Sequence, residues 1–458
     1  MLLLNPAGKK NKKTPVSTYV WQEKLSIKAD NSVLEKALNF PQGTLSVLQK
    51  ALELRLPRTA SWSLELIKHK EPFLTASSYY KRGVSVVGYP FARPIQKQSK
   101  IRFKSFKEVI DFLLETEAFI ILDSNVEKKW PLLENVLNSS FFILKDPSEK
   151  TKNLETVSHL MEAYQKAKVK KKIIVIGGGV TLDTSAFAAS LLNVPVTLLP
   201  TTLLAMVDAS IGGKNGVNVW PYGKNLVGSF YFPEEMIICS DFIETLGPRE
   251  IISGGAEALK HALLISDRAL LKKLSCSLAS DDRLALIEEI PRLVQVKQEV
   301  VSLDPFEKSY RMILNLGHTL GHALEALSAE RKGSKITHGE AVALGLLFVV
   351  LLSEFLGKIS LDKSRVLVQQ LLGSSCLLTR KSFFTYLGRD PLDKKTWLAI
   401  QGYLSQDKKQ RISEDGFHEW VLLYSEGFVP GKKSYLTRVS SKISEKIWFK
   451  MWSDFLKG

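Results

Sequence analysis

KIIVIGGGVTLDTSAFAASLL, Lys172–Leu192, is the stretch that sets the architecture of this chain. Lys172 to Ile176 reads as a short buried strand, Gly177-Gly178-Gly179 breaks it, and Phe187 to Leu192 continues as an apolar helix. A strand, a glycine-rich turn and a helix start place bare backbone N–H groups where a phosphate can approach. The spacing is not G-x-G-x-x-G, so these glycines suit a tight turn as well as they suit a pyrophosphate.

The same alternation extends upstream. Phe119 to Leu122 is a β-rich run ending at Asp123, and Phe141 to Leu144 is another ending near Asp146. Helix-compatible segments, Lys128 to Asn138 and Leu154 to Lys168, separate the runs. Strands alternating with helices predict a parallel sheet covered on its faces. Past residue 250 the pattern becomes helical: Ala256 to Ile265, Arg283 to Val301, Leu314 to Leu327, Gly339 to Leu356 and Ser364 to Leu372. No further strand is expected before Trp420 to Tyr424. The expected order is an α/β domain over 81–247 and a mostly α-helical domain over 248–430, between an extension, 1–80, and a tail, 431–458.

Composition narrows the function. With 45% hydrophobic and 24% charged residues, the 458-residue chain is that of an ordinary globular protein. Its net charge of +16 favours anionic partners, phosphorylated metabolites and nucleotides among them. A nucleic-acid surface would show a basic stripe with interleaved aromatics, whereas Lys9 to Lys13 and Lys168 to Lys172 are short runs. Cys239, Cys276 and Cys376 are too scattered for a thiolate metal site and fit a reducing compartment. The start MLLLNPAGKKNKK lacks the layout of a secretion signal, and the longest apolar run, Ala341 to Leu352, is too short to span a bilayer. A cytoplasmic protein without membrane or nucleic-acid partners is expected.

Chemistry concentrates in a few places. Three of seven histidines, His318, His322 and His338, lie within Arg311–Glu340. His318 and His322 share one helix face by i,i+4 spacing, which suits a metal, an acid–base pair, or two histidines with satisfied hydrogen bonds. Glu257 and Lys260 stand one helical turn apart, either as a surface ion pair or with Glu257 joining the histidines around a metal. Pro200 to Lys214, then Gly223-Lys224-Asn225, gather hydroxyls, Asp208 and two lysines into a polar crevice for a phosphorylated, hydroxylated ligand.

Together these segments resemble the 3-dehydroquinate synthases of the sugar-phosphate cyclase superfamily. The resemblance rests on Gly177-Gly178-Gly179-Val180…Asp183, Pro200-Thr201-Thr202…Asp208…Gly213-Lys214, Gly223-Lys224-Asn225, Ala256-Glu257…Lys260, Arg311…Asn315-Leu316-Gly317-His318…His322-Ala323…Glu325 and His338-Gly339-Glu340, in family order over roughly 85–430. It implies a Rossmann-like NAD-binding domain followed by a helical metal- and substrate-binding domain. The implied reaction converts a seven-carbon keto-acid phosphate to 3-dehydroquinate and phosphate, with NAD reduced and reoxidised in each turnover and one divalent metal, zinc or cobalt. By resemblance, Glu257, His318 and His338 are the metal ligands, which moves His322 from ligand to proton transfer. Lys260, Lys214 and Asn225 join His322 in catalysis. Asp208, Lys297, Arg311, Asn315 and Lys409 hold substrate, with Glu307 an acidic partner of Arg311. Asp123, Asn125, Glu149, Lys152, Gly178, Gly179, Val180, Asp183, Thr201, Thr202, Lys214, Lys224 and Thr245 line the cofactor. A homodimer is implied as well.

One departure stands out. The family's Arg-Gly pair before Pro-Thr-Thr, whose arginine reaches the phosphate in the neighbouring subunit, is replaced by Leu191-Leu192-Asn193-Val194-Pro195. Losing such a contact costs about 1.5–3 kcal/mol unless another cation substitutes. It leaves room for a sister cyclase acting on another heptulose phosphate. A related NAD- and metal-dependent polyol dehydrogenase, or a basic binding module with a decayed site, are more distant alternatives. Ala186, Asn215 and Pro305 are smaller departures.

Overall fold

The computed structural model describes the backbone of Ser17–Trp21, Trp62–Lys68 and Val84–Pro90, and then residues 99–456 apart from 137–139, 221–222, 332, 405–415, 426 and 429–434. Most of 1–80, and Lys409, lie outside the described residues. The chain divides into two compact units at Thr245/Leu246.

In the first unit β1 (Ser17–Trp21), β2 (Trp62–Lys68) and β3 (Val84–Pro90) precede β4 (Lys100–Phe103) and α1 (Phe106–Glu115). Next come β5 (Phe119–Asp123), α2 (Ser124–Lys129), α3 (Leu132–Val136), β6 (Phe141–Leu144), α4 (Leu154–Lys166), β7 (Ile173–Gly177), α5 (Gly179–Leu192) and β8 (Val196–Pro200). A hairpin, β9 (Lys214–Val219) and β10 (Gly223–Phe230), and β11 (Glu235–Ile238) complete it. Six strands form a parallel sheet in the order β4-β11-β8-β7-β5-β6. Every residue of β5, β7 and β8 is buried, which is why these runs are continuously apolar instead of alternating.

Two segments differ from expectation. Lys128 to Asn138 is not one helix, because Trp130 precedes Pro131 and leaves the helical region, so α2 and α3 are separate short pieces. The segments from Lys214 and from Gly223-Lys224-Asn225, read only as parts of a polar crevice, open two strands, β9 and β10, which extend a second sheet ordered β1-β2-β3-β10-β9. Glycine hid these strands: a Cβ on Gly228 would lie 2.2 Å from the Asn215 carbonyl oxygen, so the close approach excludes the β-branched residues that normally signal a strand.

The second unit is helical, with α6 (Pro248–Leu264), α7 (Arg268–Ser280), α8 (Arg283–Leu303), α9 (His318–Ala329), α10 (His338–Phe355), α11 (Leu361–Leu372), α12 (Arg380–Leu387) and α13 (Lys394–Leu404). A short antiparallel pair, β12 (Phe417–Val421) and β13 (Leu436–Ser440), leads into α14 (Ser441–Asp454). Trp448 and Trp452 of α14 are buried beside Trp397 and Phe383, and the Trp448 indole donates to the Pro391 carbonyl at 2.8 Å. Among the described residues α10 alone is long and apolar enough to cross a membrane, but 83% of it is buried against α6, α9, α11 and α14. It is a core helix.

Glycines set how closely α10 is approached. A Cβ on Gly345 would fall 1.9 Å from the Gly317 carbonyl oxygen, and one on Gly339 would fall 2.3 Å from Ser253 Cα. In an open helix Gly345→Ala would gain about 0.5–1 kcal/mol from propensity. Here the backbone overlap decides the sign. Gly345→Ala is expected to destabilise by about 2 kcal/mol or more in urea unfolding; a gain in stability would contradict this packing.

Candidate functional site

The first unit builds a glycine-rich cradle at the carboxyl ends of its central strands. β6 and β7 flank β5 on opposite sides, so the strand order reverses at β5, and open α/β sheets bind ligands at the carboxyl ends of strands beside such a point. There Asp123 uses both oxygens: Oδ2 accepts from Thr181 Oγ1 at 2.7 Å, and Oδ1 accepts from the Asn125 N–H at 2.9 Å. Gly178 is the N-cap of α5 and supplies no side-chain cap, so the first turn, Gly179-Val180-Thr181, offers its N–H groups outward. Gly177 has a packing reason, because a Cβ there would meet Thr181 at 2.8 Å and Asp123 at 2.9 Å. The Thr201 N–H binds the Gly177 carbonyl at 3.0 Å. Thr202 Oγ1 accepts from Ala205 N at 3.2 Å and opens a π-helical turn, Ala205–Ala209, that carries Asp208.

Beside the cradle, buried Lys152 pairs with Asp183 at 2.6 Å. The Thr245 hydroxyl accepts from Trp130 Nε1 at 3.1 Å, and its carbonyl takes Lys129 Nζ at 2.6 Å. A fully engaged Asn218 docks the β9–β10 hairpin on the loop after β6. Its N–H donates to the Lys152 carbonyl at 2.8 Å, and its Nδ2 donates to the Glu149 carbonyl and to Glu149 Oε2, both at 2.7 Å. Its Oδ1 accepts from the Asn225 N–H at 2.9 Å. Lys214 opens β9, whereas Lys224 and Asn225 ride an irregularity in β10, with Asn225 at φ +51° and Lys224 Nζ 3.9 Å from Glu149 Oε1. Asn218 escaped the sequence reading because a lone Asn between two valines carries no motif.

The second unit brings Glu257 of α6, His318 at the start of α9 and His338 at the start of α10 together. One donor atom from each lies within 4.8 Å of the others. Glu257 Oε1 is 3.3 Å from both His318 Nε2 and His338 Nε2. A zinc-like ion about 2.0–2.1 Å from each donor at tetrahedral angles would space them by about 3.3 Å. The other ring nitrogens are engaged: His318 Nδ1 with the Leu316 carbonyl and His338 Nδ1 with Glu325 Oε2, each at 3.1 Å. Both Nε2 atoms therefore face Glu257, in the outer-partner arrangement that orients metal-binding imidazoles. The donor set fits a divalent metal.

Electrostatics agree with that fit. Burial opposes the charge of Glu257, yet the Lys260 ammonium, paired with Oε2, and His318 hold its pKa well below the carboxylate range. Burial pushes His318 down to about 4 against the pull of Glu257, leaving the imidazole neutral. Burial disfavours charge on His338 too, but Glu325 and Glu257 raise it to about 10, so it carries the positive charge that a bound cation would replace. His322, one turn beyond His318, stands with its ring 5.4 Å from that of His318 and 6.3 Å from that of His338, outside the three-donor cluster.

The remaining expected residues of this unit are buried or close by. Lys260, Lys297 and Arg311 are all buried. The Asp304 carboxylate gathers N–H groups from Lys308, Ser309 and Arg311 at 2.9, 2.8 and 3.1 Å, and Arg311 Nη1 donates to the Pro305 carbonyl at 2.7 Å. Asn315 Nδ2 reaches Glu307 at 3.4 Å. Lys409 is not among the described residues.

Models of the 3-dehydroquinate synthase N-terminal and C-terminal regions match residues 142–253 and 254–410. A 3-dehydroquinate synthase of Methylacidiphilum infernorum is 39% identical over 323 residues, 69% of this chain and 84% of the relative. The chain belongs to the 3-dehydroquinate synthase family. A Pyrococcus furiosus 3-dehydroquinate synthase is 34% identical over 301 residues, covering 63% of this chain and 86% of its own. Two solved structures share the fold. A 2-deoxy-scyllo-inosose synthase complexed with carbaglucose-6-phosphate, NAD+ and Co2+ has a TM-score of 0.62 at 24% identity, covering 76% of this chain and 96% of its own. The 2-epi-5-epi-valiolone synthase of Streptomyces hygroscopicus, with NAD+ and Zn2+, has a TM-score of 0.58 at 22% identity, covering 80% and 99%. Asp123 and Asn125 precede the segment matched to the 3-dehydroquinate synthase models; Glu149, Glu257, His318, His338 and Lys409 fall inside it.

Removing the hub of the hairpin tests the first unit. Asn218→Ala removes the side-chain hydrogen bonds that join the hairpin to Glu149 and to the Asn225 N–H and is expected to cost about 1–2 kcal/mol in urea unfolding. A cost below about 0.5 kcal/mol would show that water replaces these bonds freely.

Proposed function

We propose that the protein is a working 3-dehydroquinate synthase, eliminating phosphate from a seven-carbon keto-acid phosphate (the family substrate) and closing the ring. Convergence of Glu257, His318 and His338 beside the Lys260 ammonium is the observation that carries this reading. The curated relatives, 34–39% identical, favour the dehydroquinate precursor over other heptulose phosphates.

NAD, which the related cyclase structures hold, supplies reversible hydride transfer when bound, and the divalent metal supplies Lewis acidity toward a substrate hydroxyl. The first turn of α5, with Gly178, Gly179 and Val180, holds the pyrophosphate. Asp123, Asn125, Glu149, Lys152, Asp183, Thr201, Thr202, Lys214, Lys224 and Thr245 hold the rest of the cofactor. Glu257, His318 and His338 hold the metal. His322 relays the proton of the hydroxyl being oxidised, with Lys260, Lys214 and Asn225 positioning the reacting groups. Asp208, Lys297, Arg311, Asn315 and Lys409 bind substrate, whose carboxylate and phosphate charges the cations neutralise. The reaction class is that of a carbon–oxygen lyase. A homodimer and a cytoplasmic location belong to the same reading, the latter in keeping with three unpaired cysteines.

Purified protein given the dehydroquinate precursor should release phosphate without net NADH accumulation, and a chelator should stop it. Net NADH would point to a polyol dehydrogenase instead. Glu257→Ala should lose both metal retention and turnover; a variant keeping both would refute the ligand assignment.

A further inference from the structure

The three supposed metal ligands sit on three helices, so the geometry of the cluster depends on what bolts those helices together. Arg249, in the first turn of α6, reaches α10. Its Nε donates to Glu340 Oε1 at 3.1 Å and its Nη2 to Glu340 Oε2 at 2.6 Å, a two-point fork on a carboxylate that is 5% exposed. The same Nη2 donates to the Lys335 carbonyl at 2.8 Å, in the loop entering α10. The ring of Tyr386 lies under the guanidinium at 4.6 Å.

Glu340 is also the N3 residue of the α10 capping box. Its Oε2 accepts from the Thr337 N–H at 2.7 Å, and Thr337 Oγ1 accepts from the Glu340 N–H at 3.3 Å. His338 is therefore bracketed by Thr337 and Glu340. Beside it the Gly339 N–H donates to Ser253 Oγ of α6 at 3.2 Å, where a glycine Cβ would not fit. A capping box needs no arginine from another helix. The additional fork ties the first turn of α10, which carries His338, to the helix carrying Glu257.

We propose that Arg249 is a positioning residue for the metal centre: its fork on Glu340 fixes the separation of the His338 imidazole and the Glu257 carboxylate. A lysine at this position keeps the charge but cannot bond two carboxylate oxygens and a carbonyl in one plane. The inference rests on the metal assignment of Glu257, His318 and His338, and it says nothing of which substrate is turned over.

Co2+ serves as the probe, in the full-length protein. Its affinity is measured by competition with a chromophoric chelator, its coordination by the visible ligand-field spectrum, and NAD affinity and thermal unfolding in parallel. Arg249→Ala should weaken Co2+ binding about 10–100-fold and alter the spectrum, with NAD affinity unchanged. Arg249→Lys should recover little of it. Glu340→Gln, nearly isosteric, should weaken Co2+ in the same direction, and it decides the matter if Arg249→Ala does not fold. Folded Arg249→Ala or Glu340→Gln protein with parental Co2+ affinity and spectrum would overturn the proposal. Failure of the parent protein to bind Co2+ would overturn the metal assignment itself.

Discussion

A carboxylate with no solvent exposure organises the second unit. An isolated charge in the position of Glu257 would cost several kcal/mol, and the surrounding helices exist in an arrangement that removes that cost. Lys260 supplies a cation from one turn away on the same helix, and the His318 and His338 imidazoles close the other side. A buried ion pair is a poor source of stability, since an apolar pair of similar volume often does as well. Its presence here points to chemistry, as does the outward polarity of the imidazoles: both spend Nδ1 on the protein and aim Nε2 at the carboxylate.

Holding side chains from three helices with donor atoms within 4.8 Å of one another demands short interhelical distances. Gly339, Gly345 and Gly317 meet that demand, each with backbone or a side chain where its Cβ would be. Gly317 also has φ +78°, which turns the chain between the Tyr310–Asn315 helical turn and α9 and puts His318 at the first position of its helix. The convergence of these three side chains and the close packing of their helices are thus one constraint in this unit. The apolar character of α10 follows from it, because a helix approached this closely on several sides has no solvent face for polar residues.

Much of this was legible beforehand. Parallel strands buried on both faces are continuous apolar runs, so β5, β7 and the helices around them stood out. What the local pattern could not reveal was partnership at a distance. Helical spacing paired His318 with His322, but the third donor is His338, 20 residues on, and the carboxylate is 61 residues back. Only resemblance to the family supplied that set. The β9–β10 hairpin was hidden for another reason: its closest contacts need Gly216 and Gly228, and those residues dilute the β signal. The C-terminal helix, with its buried tryptophans, went unread because one amphipathic stripe of aromatics carries no chemistry.

The stretch that lacks the family's arginine, Leu191 to Pro195, contains a helix end. Asn193 ends α5 in the left-handed conformation, φ 53°, which glycine prefers and asparagine tolerates best among the others. Leu192 and Asn193 lie in the stretch that carries no arginine. Leu192 is 4% exposed, so the last residue of α5 packs in the core instead of reaching outward. Positive charge for a phosphorylated ligand then has to come from elsewhere. Lys260, Lys297 and Arg311 are each buried in the second unit, where low effective dielectric strengthens the attraction of a fixed cation for an anion. Lys260 is held by Glu257 and Arg311 by the Pro305 carbonyl, so the cost of burying these cations is offset within the fold itself.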